Sequence, residues 1–310
     1  MYKVFIDGRE GTTGLRIYDR LVKRDDLSLI VLDDEKRKDP AARHEALNAA
    51  DIAFLCLPDA AAREAVSMIK NDTTRVIDAS TAHRTEPGWC YGLPELGESF
   101  LGKLKTSKRT AVPGCHASGF ISLVYPLIAA GILPADADIT CHSITGYSGG
   151  GKKMIAQYED DARSSLLASP RQYGLTQQHK HLKEMQAICG LAKAPIFCPI
   201  VSDFYSGMAV TVPLFKSMLR PGCTAEDIKK TYQSLYTGPV IQYLAQADEG
   251  GFFAGNALSG RDAMQVTVAG NEDRILLLSR FDNLGKGASG AAVECMNIML
   301  GMDPTYGLDL

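Results

Sequence analysis

A cysteine reacts as its thiolate, and a thiolate is easiest to hold at the start of a helix. There the macrodipole and the unpaired backbone N–H groups favour negative charge. The segment Val112-Pro113-Gly114-Cys115-His116-Ala117-Ser118-Gly119 has that form. Pro and Gly set a turn, and the apolar run 120–128 predicts a helix that begins at or just after Cys115. The same N–H groups are placed to stabilise an oxyanion on a carbonyl attacked by the sulphur. Such a nucleophile needs a base. Gln178-His179-Lys180-His181-Leu182-Lys183-Glu184 opens a second predicted helix, with Leu182, Met185 and Cys189 as its apolar stripe. His181 lies on the flank of that stripe, and Glu184, three residues on, is spaced to orient its imidazole and is also read as a substrate contact. His179 falls on another face, near Lys183, and is expected to meet solvent. His116 and His142 are the weaker alternatives for the base.

A second kind of chemistry is written in glycine. Gly8-x-x-Gly11-x-x-Gly14 sits between a predicted strand and a predicted helix. A dinucleotide pyrophosphate meets a helix N-terminus at that position. Gly8, Gly11, Thr12, Thr13 and Gly14 are therefore read as cofactor-binding, although the spacing differs from the usual G-x-G-x-x-G. Asp33, at the end of the second predicted strand, favours a ribose 2′-hydroxyl and hence NAD. Lys36, Arg37 and Lys38 follow at once and suit a 2′-phosphate instead. The residue types alone leave the two cofactors open.

Three further polar segments are candidates. In 143–153, the backbone around Ser148 and Gly149, with Lys152 and Lys153, suits a phosphate or a carboxamide. The segment 78–84 leaves the fourth strand at the ligand-binding end of a parallel sheet, so Ser80 and Arg84 are read as facing substrate. Before the last helix, Asn283 either caps that helix or bonds a nicotinamide, and Lys286 is read as reaching a phosphate.

These residues need a scaffold. Strands are predicted over 3–7, 27–32, 51–57 and 75–78, with helices over 15–22, 41–49 and 60–69 between them. Leu15, Tyr18, Leu21 and Val22 form the expected inner face of the first helix. This alternation predicts a Rossmann-like parallel sheet covered on both faces. The pattern changes near residue 115. Strands over 139–145, 196–204, 208–215, 265–270 and 274–281 follow with few helices between some of them, which predicts an antiparallel sheet. Helices are expected over 179–189, 225–236 and 288–300. The division is thus 1–114, with 287–310 returning to it, and 115–286.

Hydrophobic residues make up 45% and charged residues 22% of the 310, a balance that excludes a disordered chain. A net charge of −3 gives no electrostatic reason to expect nucleic acid or an anionic membrane. The eight cysteines form no C-x-x-C pair, and no histidines flank them at zinc spacing, so no metal is expected. The first residues read as a strand rather than a signal segment, which makes a cytoplasmic location the expectation.

The sequence also carries Tyr91-Gly92-Leu93-Pro94-Glu95-Leu96 and Asn283-Leu284-x-Lys286-Gly287-Ala288. Taken with residues 8–14, Pro113-Gly114-Cys115, 146–151 and His179-Lys180-His181, their order and spacing span nearly the whole chain. In these segments it resembles the N-acetyl-γ-glutamyl-phosphate reductases, in their shorter branch. The resemblance implies NADPH-dependent reduction of an acyl phosphate to a semialdehyde through a cysteine thioester, in arginine biosynthesis. It implies an α+β catalytic and dimerisation domain of the semialdehyde dehydrogenase type after the nucleotide-binding domain. It makes Cys115 the nucleophile, gives acid/base duty to His179 and His181, and names NADP as cofactor. It also implies a homodimer or homotetramer acting on a small molecule. Val112 stands where the longer branch often has Asn, and Lys183 where it has Pro. Aspartate-semialdehyde dehydrogenase is the nearest alternative activity, and a non-catalytic NADP-binding regulator is the alternative of another class.

Overall fold

The computed structural model describes residues 1–310, which divide into two compact units. The first unit comprises Met1–Pro94, Glu98–Pro113 and Ala288–Leu308, and the second comprises Glu95–Gly97, Gly114–Gly287 and Asp309–Leu310.

The first unit alternates β1 (Tyr2–Asp7), α1 (Thr12–Leu21), β2 (Leu27–Ile30), α2 (Pro40–Ala49), β3 (Ile52–Leu55), α3 (Asp59–Met68) and β4 (Arg75–Asp78). After it come β5 (Cys90–Tyr91), α4 (Glu98–Thr106) and β6 (Arg109–Ala111). The six strands are parallel, in the order β2-β1-β3-β4-β6-β5. All four residues of β3 are buried, as a central strand with both faces covered requires.

Two expectations shift here. The buried row of α1 is Gly14, Ile17 and Leu21, whereas Leu15 and Val22 are exposed. Gly14 sets that phase: a Cβ there would lie 2.5 Å from the Gly8 carbonyl oxygen, so this side of the helix must face the turn. In addition, β2 ends at Ile30, so Asp33 stands beyond the strand in an exposed turn rather than at its tip. The Asp33 carbonyl accepts from the N–H groups of Lys36 and Arg37, which closes that turn.

The second unit runs α5 (Cys115–Ala129), β7 (Thr140–Gly146), α6 (Gly151–Glu159), β8 (Arg171–Gln172), α7 (His181–Cys189), β9 (Ile196–Ser202) and β10 (Met208–Phe215). It continues through α8 (Ala225–Leu235), β11 (Ile241–Tyr243), β12 (Met264–Gly270) and β13 (Arg274–Phe281). Its seven strands lie in the order β11-β12-β13-β10-β7-β9-β8. The sheet is mixed rather than antiparallel: β7 pairs with β9, and β11 with β12, in parallel. Parallel neighbours need a long crossover, and α6, β8 and α7 supply it between β7 and β9. The last helix, α9 (Gly290–Met299), belongs to the first unit and follows a π-helical turn over Gly285–Ser289.

The helix α5 begins at Cys115 and is buried for most of its length. It meets the sheet at Gly119, where a Cβ would lie 2.5 Å from a Val210 methyl, so only glycine permits this approach. Pro126 removes one helical N–H and so frees the Ser122 carbonyl. The Tyr236 hydroxyl of α8 donates to that carbonyl at 2.6 Å, which keeps the helix satisfied past the proline. The other face of the sheet leaves Ile144, Ile196, Phe215 and Leu276 exposed. No helix is long and apolar enough to cross a membrane.

Candidate active site

Cys115 is the first residue of α5, and its N-cap, Gly114, offers no side-chain cap. The first N–H groups of the helix are thus left to whatever stands before them. Gly287 packs on the cysteine so closely that a Cβ there would lie 3.0 Å from Cys115 Cβ. Glu184 braces the turn from α7. It is 1% exposed, and its Oε2 accepts from the Gly114 N–H at 3.1 Å. Its Oε1 lies 4.0 Å from His181 Nε2. One buried carboxylate therefore holds the turn before Cys115 and faces the candidate base. Glu184 is thus a brace of that turn as well as the expected neighbour of His181.

His181 is the first residue of α7 and is buried. His179 does not turn to solvent as expected. The helix begins at His181, so helical phase does not apply to His179, and its Nδ1 accepts from the His181 N–H at 3.2 Å. The two rings stand edge to face at 4.7 Å. His116 completes the group, with ring centroids 5.7 Å from His179 and 5.6 Å from His181. Burial and the charges of His179 and Lys180 hold the His116 pKa down at about 3, so this imidazole is neutral. His142 points away, exposed on β7.

Sequence reasoning missed the partners of His116. Its Nδ1 lies 2.6 Å from Ser143 Oγ on β7, and its Nε2 lies 2.7 Å from the Tyr173 hydroxyl, just after β8. Arg171 opens β8, two residues before Tyr173. Its guanidinium donates to the Tyr158 hydroxyl at 2.9 Å, while its buried Nε–H has no acceptor. No motif marked these residues, because each acts through neighbours far away in sequence.

Several other candidate residues have partners within the protein. Asn283 is buried and uses both ends of its amide: Oδ1 accepts from the Gly207 N–H at 2.9 Å, and Nδ2 donates to Ser148 Oγ at 3.0 Å. It does not cap α9, and Ser148 is its partner, beside the exposed Gly149. Lys286 is 1% exposed and donates to Glu95 at 2.5 Å, which explains why the two motifs holding these residues occur together. Lys152 is exposed on α6. In the first unit, Ser80 closes a turn by donating to Asp78 at 2.8 Å, and buried Arg84 donates to the Val112 carbonyl at 2.9 Å.

The glycine turn of the first unit lies against the backbone just after β3. Gly8 has φ +87°, and a Cβ there would lie 2.3 Å from the Cys56 carbonyl oxygen, so the turn admits no other residue unchanged. The N-cap of α1, Gly11, brings no side-chain cap, which leaves the amides of Thr12 and Thr13 for a ligand. An adjoining cleft of about 350 Å³ is lined by Gly8, Arg9, Tyr18, Arg37 and Lys38 among others, and Asp33 does not line it. Close backbone, free amides and cationic walls fit a dinucleotide phosphate.

Known proteins share this architecture. Residues 115–283 match the semialdehyde dehydrogenase dimerisation domain, and residues 32–103 the semialdehyde dehydrogenase NAD binding domain. The N-acetyl-gamma-glutamyl-phosphate reductase 2 of Nostoc sp. is 44% identical, with 99% of each chain covered. The N-acetyl-gamma-glutamyl-phosphate reductase of Chelativorans sp. is 46% identical over 96% of this chain and 98% of its own. Among solved structures, aspartate semialdehyde dehydrogenase II from Vibrio cholerae superposes with a TM-score of 0.73 at 18% identity, covering 97% of this chain and 98% of that one, a likeness of fold. Full-length similarity at this level, with both semialdehyde dehydrogenase domains matched, means that the chain belongs to the N-acetyl-γ-glutamyl-phosphate reductase family.

Proposed function

We propose that the chain reduces N-acetyl-γ-glutamyl phosphate to N-acetylglutamate semialdehyde and phosphate with NADPH, as a step of arginine biosynthesis. The observation that carries this reading is Cys115 at the uncapped start of α5, with Glu184 bridging its turn to His181. Residues 1–114, with 287–310, hold the nucleotide, and 115–286 carry the chemistry.

The helix start favours the Cys115 thiolate. The sulphur attacks the acyl carbon, a C–S bond forms, and the C–O bond to phosphate breaks, leaving a thioester. His181 holds the thiol proton as an imidazolium, which the Glu184 carboxylate stabilises, and later returns it to the product side. When bound, the reduced nicotinamide supplies the hydride that converts the thioester to the aldehyde level. The N–H groups at the head of α5 offset negative charge on the reacting oxygen. The substrate's free carboxylate needs a cation, and Arg171 carries a guanidinium that donates to the neutral Tyr158 hydroxyl and keeps a buried Nε–H without an acceptor. Lys152 remains exposed for the phosphate.

Arg37 and Lys38 line the cleft beside the glycine turn while Asp33 does not, which supports NADP over NAD. The match to a dimerisation domain supports self-association, and the exposed Ile144, Ile196, Phe215 and Leu276 offer an apolar sheet face for a homodimer or homotetramer. The free cysteines fit a reducing compartment, the cytoplasm.

The test is phosphate-dependent reduction of NADP with N-acetylglutamate semialdehyde, followed at about 340 nm, a wavelength that reports the reduced nicotinamide. Aspartate semialdehyde and NAD serve as comparisons. Turnover confined to the acetylated substrate with NADP and phosphate is expected. Preference for aspartate semialdehyde would transfer the chain to that activity. Binding of NADP without turnover on either aldehyde would leave a regulator.

A further inference from the structure

Two carboxylates line the cleft beside the glycine turn, and they differ in what holds them. Asp7 is buried and tied to Arg43 at 3.0 Å, so its charge is neutralised within the fold. Glu10 is exposed, and its partners are cations that line the same cleft. Its Oε1 accepts from Arg9 Nε and Nη2, both at 3.4 Å, and lies 3.9 Å from Arg37 Nη1. One carboxylate oxygen thus joins two guanidinium groups.

Local structure brings these groups together. The Gly11 N–H donates to the Gly8 carbonyl at 3.1 Å, which makes Arg9 and Glu10 the central residues of a tight turn. The Arg9 guanidinium stands over the Tyr18 ring of α1, 5.0 Å from its centroid. Arg37 comes from the exposed segment after β2, the side of a Rossmann sheet on which the adenosine ribose lies. Two guanidinium forks that converge on one oxygen suit a phosphate monoester, which offers three oxygens and about two negative charges to the same donors. The Glu10 bridge itself is weak, because all three side chains are well exposed to water and its distances are long.

We propose that Glu10 is an internal counterion of the cofactor's 2′-phosphate subsite. It holds Arg9 and Arg37 until the phosphate binds and is then displaced from them. The inference rests on NADP being the cofactor. Binding of NADP exchanges one anion for another, so the Glu10 charge cancels part of the attraction between the phosphate and the two arginines. NAD carries a hydroxyl at that place and leaves the bridge intact. Glu10 is therefore a specificity-determining residue that acts against the phosphorylated cofactor.

The experiment is calorimetric titration of NADP and of NAD into the full chain at one low ionic strength. Glu10→Gln keeps the shape of the side chain and removes its charge. Its NADP dissociation constant should fall about five- to tenfold, while that for NAD stays within about twofold and reports an intact cleft. Asp34→Asn controls for net charge. Asp34 lies 3.8 Å from Arg37 but is 80% exposed and does not line the cleft. Its removal should therefore change NADP binding by less than about twofold. Unchanged or weaker NADP binding in Glu10→Gln, with NADP still preferred over NAD, would overturn the counterion alone. An equal gain from Asp34→Asn would overturn it too, as would weaker NAD binding in Glu10→Gln, which would make Glu10 a ribose ligand. If both the wild type and Glu10→Gln bound NADP no more tightly than NAD, the NADP reading itself would fall, and the 2′-phosphate subsite with it.

Discussion

Two helices in this protein begin in the same way and work in different surroundings. Both α1 and α5 follow a glycine N-cap that brings no side chain to the first N–H groups. Each therefore presents the positive end of a helix dipole with its donors open. Around α1 stand backbone atoms and exposed cations: the Gly8 turn, an open cleft, and Arg37 and Lys38. Around α5 stand buried and mutually bonded side chains: Glu184, His181, His116 and Ser143. The first arrangement suits an anion that arrives and leaves with its ligand. The second suits an anion that the protein makes for itself on Cys115. A dipole favours negative charge in general, and its surroundings decide whether that charge is a phosphate or a sulphur.

This contrast can be broken most severely at the sulphur. Cys115→Ser should lower turnover by roughly 10⁴-fold or more, since a hydroxyl is far harder to ionise at this site. Dinucleotide binding, measured by titration, should be untouched, because the α1 turn does not use the thiol. Removing the base is the next largest change. His181→Asn should cost about 10²–10⁴-fold in kcat. Glu184→Gln should cost less and should also weaken the brace on Gly114, which a lower thermal midpoint would report.

On the other side of the comparison, Gly8→Ala should damage the α1 turn while sparing Cys115 alkylation. Its Cβ overlaps the Cys56 carbonyl and its φ of +87° is unfavourable, so dinucleotide affinity should fall more than tenfold. Arg37→Ala should act more narrowly. Loss of a charge-assisted bond, about 1.5–3 kcal/mol, predicts roughly a ten- to hundredfold loss for NADP and little for NAD. Equal losses for both would separate Arg37 from the 2′-phosphate.

The smallest effect concerns stability. His116 has its pKa lowered from 6.5 to about 3 in the folded protein. Between those values the unfolded chain binds one more proton than the folded one. Stability is therefore full above the unfolded pKa and falls with acidification, by about 1.4 kcal/mol per pH unit from this group. His116→Gln should flatten the decline between pH 6.5 and 3 in urea titrations.

Much of the first unit was legible because its rules are local. β1, the glycine turn, α1, β3 and β4 each follow from a short window of residue types, and the parallel order follows from their alternation. The errors had physical causes. Leu15 and Val22 are apolar but exposed, because the phase of α1 is set by Gly14 meeting the Gly8 carbonyl. The second sheet is mixed because α6, β8 and α7 form a crossover, where the strand pattern alone suggested simple reversals.

By itself the sequence determined the glycine-led start of α1, the cysteine at the head of α5 and the histidine-rich start of α7, since backbone conformation and helix position depend on neighbours in the chain. Only the tertiary structure decided what each side chain faces. It turned His179 inward, closed Lys286 onto Glu95, committed both ends of Asn283 to Gly207 and Ser148, and linked His116 to Ser143 and Tyr173. The physical reason is that a buried polar group must find its partner across the fold, and residue spacing along the chain does not say which partner that will be.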